Sequence, residues 1–144
     1  MHTVLSLNCF KDKTMSKFQN THHLASKKLI GRIIELGNEY SNVSLKTTDE
    51  MVVDSFGLVH GGFVFGLADY AAMLAINQPT VVLGKADVRF VNPAKVGDEL
   101  IAVAKIIQNA DYKKVVNVII SNDKNKKIFE GDFHCYVLKK HVLA

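Results

Sequence analysis

Arginine is scarce in this chain: Arg32 and Arg89 supply the only guanidinium groups among 144 residues. A nucleic-acid surface needs Lys and Arg clustered on a folded body, so a DNA-binding role is disfavoured. Long uncharged apolar runs are missing too. The longest are interrupted by Asp69 and Lys85, and none reaches the roughly 18–20 residues that a spanning helix needs. Val4-Leu5-Ser6-Leu7 is too short for a signal-peptide core and lacks a basic start, so nothing argues for export. Cysteine occurs twice, as Cys9 in an irregular N-terminal stretch and Cys135 in a predicted strand. A structural disulfide is therefore not expected, and a cytoplasmic location is. His22-His23 and His134-Cys135 have no Cys or His partners at zinc spacing, so no metal is expected. There is no internal repeat and no sign of a second domain.

What is present begins with a net charge of +4, carried entirely by residues 1–30, where Lys11, Lys13, Lys17, Lys27 and Lys28 face Asp12 alone. The rest of the chain is neutral. Its length suits one domain, and 48% hydrophobic against 22% charged residues is enough to build a core. Residues 1–28 show no apolar period and are expected to be a flexible extension, with Met15 as an alternative start. A single domain is expected over 29–144. Leu29 to Leu36 is an apolar run ending at Gly37-Asn38, and Val43 to Thr47 alternates, which together predict an antiparallel hairpin. Strands are also predicted at Val81–Val91, Leu100–Ile107, Val115–Ser121 and Lys127 to about Leu138, joined by turn-rich segments.

Residues 60–77, HGGFVFGLADYAAMLAIN, predict one long helix that stops before Gln78-Pro79. It is apolar nearly all round, so it must be covered on most sides. Short connections favour antiparallel neighbours. The expected fold is α+β, a curved antiparallel sheet of five to six strands wrapped around this helix.

Asp69 is the only acid between Gly61 and Asn77. Burying a carboxylate without partners is expensive, so Asp69 either works in a site or bonds a backbone amide or faces a wet subunit interface. Gly57-Leu58-Val59-His60-Gly61-Gly62 opens the helix. Glycines there let a ligand approach bare N–H groups at the positive end of the helix dipole, as in an oxyanion hole, or they simply make a tight turn. His60 and Asp69, nine residues apart, lie about 13 Å apart on roughly opposite sides of a helix. One chain could hardly aim both at one bond, whereas a two-fold dimer could place Gly61 of one subunit opposite Asp69 of the other.

HGGFVFGLADYAAM resembles the corresponding helix of hotdog-fold acyl-CoA thioesterases, in the branch of phenylacetyl-CoA and 4-hydroxybenzoyl-CoA thioesterases. Val88 to Asp98, ending in Pro93-Ala94-Lys95-Val96-Gly97-Asp98, is similar to that family's strand-turn segment. The resemblance covers about residues 29–138. It implies a hotdog homodimer, possible as a dimer of dimers, that binds an acyl-CoA at a subunit interface and hydrolyses the thioester. Asp69 would be the general base or nucleophile. The Gly61 N–H would serve the thioester oxygen, and His60 would be structural or thioester-polarising. The position of Asp54 is often Asn in that family, where it holds the lytic water or the helix end; aspartate removes an amide donor and adds a charge. No cofactor is implied beyond the acyl-CoA itself. Leu29 to Leu36 is similar also to the ligand domain of malonyl-CoA-responsive regulators of fatty-acid synthesis, which implies the alternative of a non-catalytic acyl-CoA-binding or sensing protein. Hotdog dehydratases are less favoured, since their His-Phe-Pro-Gly signature is absent.

Other residues divide between ligand and framework. Gly57 and Gly62 allow close ligand approach. Tyr70 and Phe63 line an acyl tunnel or pack the core. Lys85, Arg89, Lys95, Lys139 and Lys140 meet CoA phosphates or act as solvated charges at strand edges.

Overall fold

A computed structural model describes residues 18–144. Six strands, β1 (Arg32–Gly37), β2 (Tyr40–Lys46), β3 (Val81–Phe90), β4 (Glu99–Ala110), β5 (Lys113–Asn122) and β6 (Lys127–Val137), surround one helix, α1 (Gly61–Ile76). They form one sheet in the order β1-β2-β4-β5-β6-β3, and every neighbouring pair is antiparallel. Residues 1–17, and with them Cys9, lie outside the described residues.

The period of two decides which side of each strand faces the helix. In β4, Leu100, Ala102 and Ala104 are fully buried while Val103 stays exposed. Opposite them in β5, Ile120 and Val118 complete the inner face. Phe129 and Phe133 of β6 are also fully buried, and Phe65 of α1 packs against both rings. The fully buried Ser41 hydroxyl donates to the Ala71 carbonyl at 2.6 Å and so ties β2 to the helix.

The helix ends at Asn77, whose φ of 55° is left-handed and whose N–H reaches the Met73 carbonyl at 2.8 Å. The sheet covers α1 on most sides, as its composition demands, but a strip stays open. Gly62 is exposed, and Phe65, Gly66 and Asp69 are half-buried. These positions share one face by helical spacing.

Two details differ from the sequence-based expectation. The apolar run from Leu29 does not enter a strand until Arg32. Ser26 closes a turn instead, with its hydroxyl accepting the Leu29 N–H and its carbonyl the Ile30 N–H, and Gly31 follows at φ 148°. Residues 18–28, expected as part of a flexible extension, are turns held against the end of α1. The Asn77 side chain accepts the Asn20 N–H and donates to the Phe18 carbonyl, both at 2.7 Å, and Thr21 is buried.

Candidate functional site

The loop before α1 is fixed by backbone pairing on both sides. Val53 N–H bonds the Leu58 carbonyl, Val59 N–H the Ala94 carbonyl, and His60 N–H the Met51 carbonyl. Asp54 holds the inside of this loop, one carboxylate oxygen accepting the N–H groups of Phe56 at 3.0 Å and Leu58 at 3.1 Å. An asparagine carbonyl would accept the same two bonds, so this loop geometry does not depend on the extra charge. Gly57 takes φ 85°, where a side chain would be strained.

His60 stands at the helix cap but makes no side-chain capping bond. Its ring lies over Gly62, where an added Cβ would come within 2.9 Å of the imidazole, and it meets Phe63 edge-on. The N–H groups of Gly61 and Gly62 therefore stand in the first turn, where no intrahelical acceptor exists. A cavity of about 320 Å³ opens beside Gly61, walled by Leu58, Val64, Phe90, Pro93 and Ile128 among others. The sequence reading missed Phe90 as a wall residue; strand alternation, which sets it beside Phe129, is the signal that could have found it.

Asp69 lies on the open strip of α1. One carboxylate oxygen is buried without any hydrogen-bond partner, and burial pushes its pKa up to about 6. It is therefore a stronger base than an ordinary carboxylate. Burial first, and the charge of Asp69 second, push the Cys135 thiol up to about 12. That thiol stays protonated at neutral pH and offers no nucleophile.

Within one chain Gly61 and Asp69 are not brought to the same bond: eight residues along a helix put them about 12 Å apart. Tyr70 is buried, and its hydroxyl meets the Gln19 amide at 3.3 Å. Burial raises its pKa. Lys85 and Arg89 occupy the outer side of β3, paired with Asp87 at 3.5 Å and Glu130 at 3.2 Å. Among the described residues no three His, Cys, Asp or Glu side chains are grouped to hold a metal. His22 and His23 bond Thr21 and the Gln19 carbonyl instead. No described helix is long and apolar enough to cross a membrane.

Comparison with known proteins adds three relatives. A methylthioribose-1-phosphate isomerase of Aquifex aeolicus is 45% identical over 113 residues, 78% of this chain but 25% of that protein. The transcription factor FapR of Caldanaerobacter subterraneus is 27% identical over 92% of this chain and 66% of its own length. This chain thus spans less than two thirds of either. A solved, uncharacterized protein of Pyrococcus horikoshii is 57% identical, superimposes with a TM-score of 0.87, and matches over 89% of this chain and 98% of its own. Residues 56–129 match the sequence profile of the thioesterase superfamily. That segment holds both the open helix N-terminus and Asp69. With six antiparallel strands around one helix in the hotdog arrangement, the chain belongs to the thioesterase superfamily.

Proposed function

We propose that the protein is a cytoplasmic acyl-CoA thioesterase that works as a homodimer. The observation that carries this reading is Asp69, a half-buried carboxylate with one unpartnered oxygen on the strip of α1 that the sheet leaves open. An acyl-CoA carbonyl would sit at the Gly61 N–H of one subunit, facing Asp69 of the other. Asp69 takes a proton from water as it attacks the thioester carbon, or attacks that carbon itself and is released by water. On the first route the proton taken up by Asp69 passes to the departing CoA thiolate. On the second, water that cleaves the acyl–Asp69 anhydride supplies it, and either route yields the acid and CoA thiol. The Gly61 N–H stabilises the oxygen as it becomes negative. The step as drawn uses water and these two groups only.

A second reading, an acyl-CoA binder without turnover, is supported by the likeness to a transcription factor over most of this chain. Both are tested by assaying short, aromatic and long acyl-CoAs with wild type and Asp69→Ala, alongside direct measurement of ester binding. Hydrolysis by wild type with at least a hundredfold loss in Asp69→Ala is expected, on the order of what a positioned base or nucleophile contributes. Undiminished turnover in Asp69→Ala would sink the mechanism. Saturable binding without turnover on any ester would establish the binder.

A further inference from the structure

Two concavities meet at Lys27 and Arg32. The inner one, of about 340 Å³, is walled by Gln19, His23, Gly31 and Tyr70 as well as these two cations. The outer one, of about 200 Å³, adds Lys28, Ser44, Lys46 and Thr48, with Glu99 at its rim. Lys28 is paired with Glu50, and Lys46 donates to the Gly97 carbonyl at 2.7 Å. Among the described residues Lys27 and Arg32 take part in no ion pair, whereas Arg89 and Lys85 are paired on the outer face of β3. The Thr48 hydroxyl oxygen is buried without a partner. Arg32 lies opposite Ser44 in the β1–β2 register, so an unpaired guanidinium, two hydroxyls and lysines share one concave surface. Guanidinium forks and ammonium groups make charge-assisted bonds to phosphate oxygens. Apart from Tyr70 and Glu99, the residues named around the groove lie outside residues 56–129, the part that matches the superfamily profile. Tyr70, which bounds the groove's inner end, is the residue after Asp69 on α1.

We propose that Lys27 and Arg32, with Lys46 and the hydroxyls of Ser44 and Thr48, hold the phosphate groups at the nucleotide end of the CoA ester whose carbonyl reaches Asp69. This assignment rests on the function proposed above. The chemistry it requires is a phosphate ester, which free inorganic phosphate also resembles, so the test separates the two. Adenosine 3′,5′-bisphosphate and inorganic phosphate are titrated calorimetrically into wild type, Arg32→Gln, Arg32→Lys and the surface control Lys124→Gln. Arg32 is exposed, so its replacement leaves the core intact.

The bisphosphate binds wild type and the control alike, about tenfold more weakly in Arg32→Gln, with Arg32→Lys between. It weakens further as salt rises. In acyl-CoA hydrolysis Arg32→Gln raises KM about tenfold while kcat moves less than twofold, and KM for a thioester truncated at pantetheine barely changes. Equal bisphosphate affinity in wild type and Arg32→Gln would overturn the assignment, as would no binding at all. Inorganic phosphate binding as tightly as the bisphosphate would overturn the nucleotide end as occupant. The bisphosphate carries no thioester, so loss of this site with turnover intact counts against the groove alone. An intact titration without turnover counts against hydrolysis alone.

Discussion

The role proposed for Asp69 rests on surroundings that make its charge costly. Nothing donates to one of its oxygens, and burial raises its pKa from 3.8 to about 6. The folded state therefore binds this proton more tightly than the unfolded chain. The penalty is absent below the unfolded pKa, grows as pH rises from about 4 to 6, and stays constant above that. Asp69→Asn should accordingly raise stability by roughly 2 kcal/mol at pH 8 and by nothing measurable at pH 3.5; urea melts followed by circular dichroism at the two pH values check this. For the reaction the sign is the reverse. With acyl-CoA, kcat/KM should climb about tenfold per pH unit below about 6 and level off above, as Asp69 ionises. A flat profile from pH 5 to 8 would contradict Asp69 as base. Gly61 can be tested by removing its N–H; an added Cβ stands 3.3 Å from the Phe90 ring, an exposed side chain that must shift by a few tenths of an ångström. His60 has φ −60° and ψ 131°, the conformation favoured before proline, and the first helical position tolerates proline's missing N–H. Gly61→Pro should keep the fold and lower kcat by about a hundredfold or more.

At the scale of elements, local signals marked most of the boundaries. Gly61-Gly62 and Gln78-Pro79 bracket an apolar run, so a helix expected at 60–77 is found at Gly61–Ile76. Alternation marks β2, β4, β5 and β6, whose inner faces are buried, and more faintly β3, where Val81 alone is buried. Strand alternation could not reveal the turn at Ser26. Leu29 and Ile30 are as apolar as a strand, but Ser26 accepts both of their N–H groups and Gly31 follows at φ 148°. Nor could it reveal the bulge between Leu83 and Lys85, or the way residues 18–28 lie on the helix end, since these depend on partners distant in the chain. Asn77 holds that segment by two bonds and sits at positive φ. Asn77→Ala loses both the bonds and the left-handed preference, whereas Asn77→Gly loses only the bonds. We expect Asn77→Ala to cost about 2 kcal/mol and Asn77→Gly roughly half as much. Both should speed tryptic cleavage after Lys27 and Lys28. Unchanged cleavage would show that other contacts hold the segment.

The molecule as a whole is neutral apart from its N-terminal excess, and part of that excess has a place in the fold. Lys27 and Lys28 join Arg32 and Lys46 around one groove, while the cations of β3 are paired on the outer surface. The composition showed where along the chain the charge lies; only the packing of β1 and the preceding turns shows which surface receives it. Half of the candidate site was legible in the same limited way. Asp69 and the glycines are marked by residue type, and helical spacing alone sets Gly61 apart from Asp69, but the wall at Phe90 requires the fold. That separation makes a site shared between two subunits the central claim. The direct measurement is complementation. Asp69→Ala and Gly61→Pro chains, each inactive alone, are co-expressed in equal amounts and assayed on an acyl-CoA that wild type hydrolyses. Half the dimers are then mixed, and each mixed dimer holds one intact site. Activity should return to about a quarter of wild type. No recovery from proven mixed dimers would contradict a site built from both subunits.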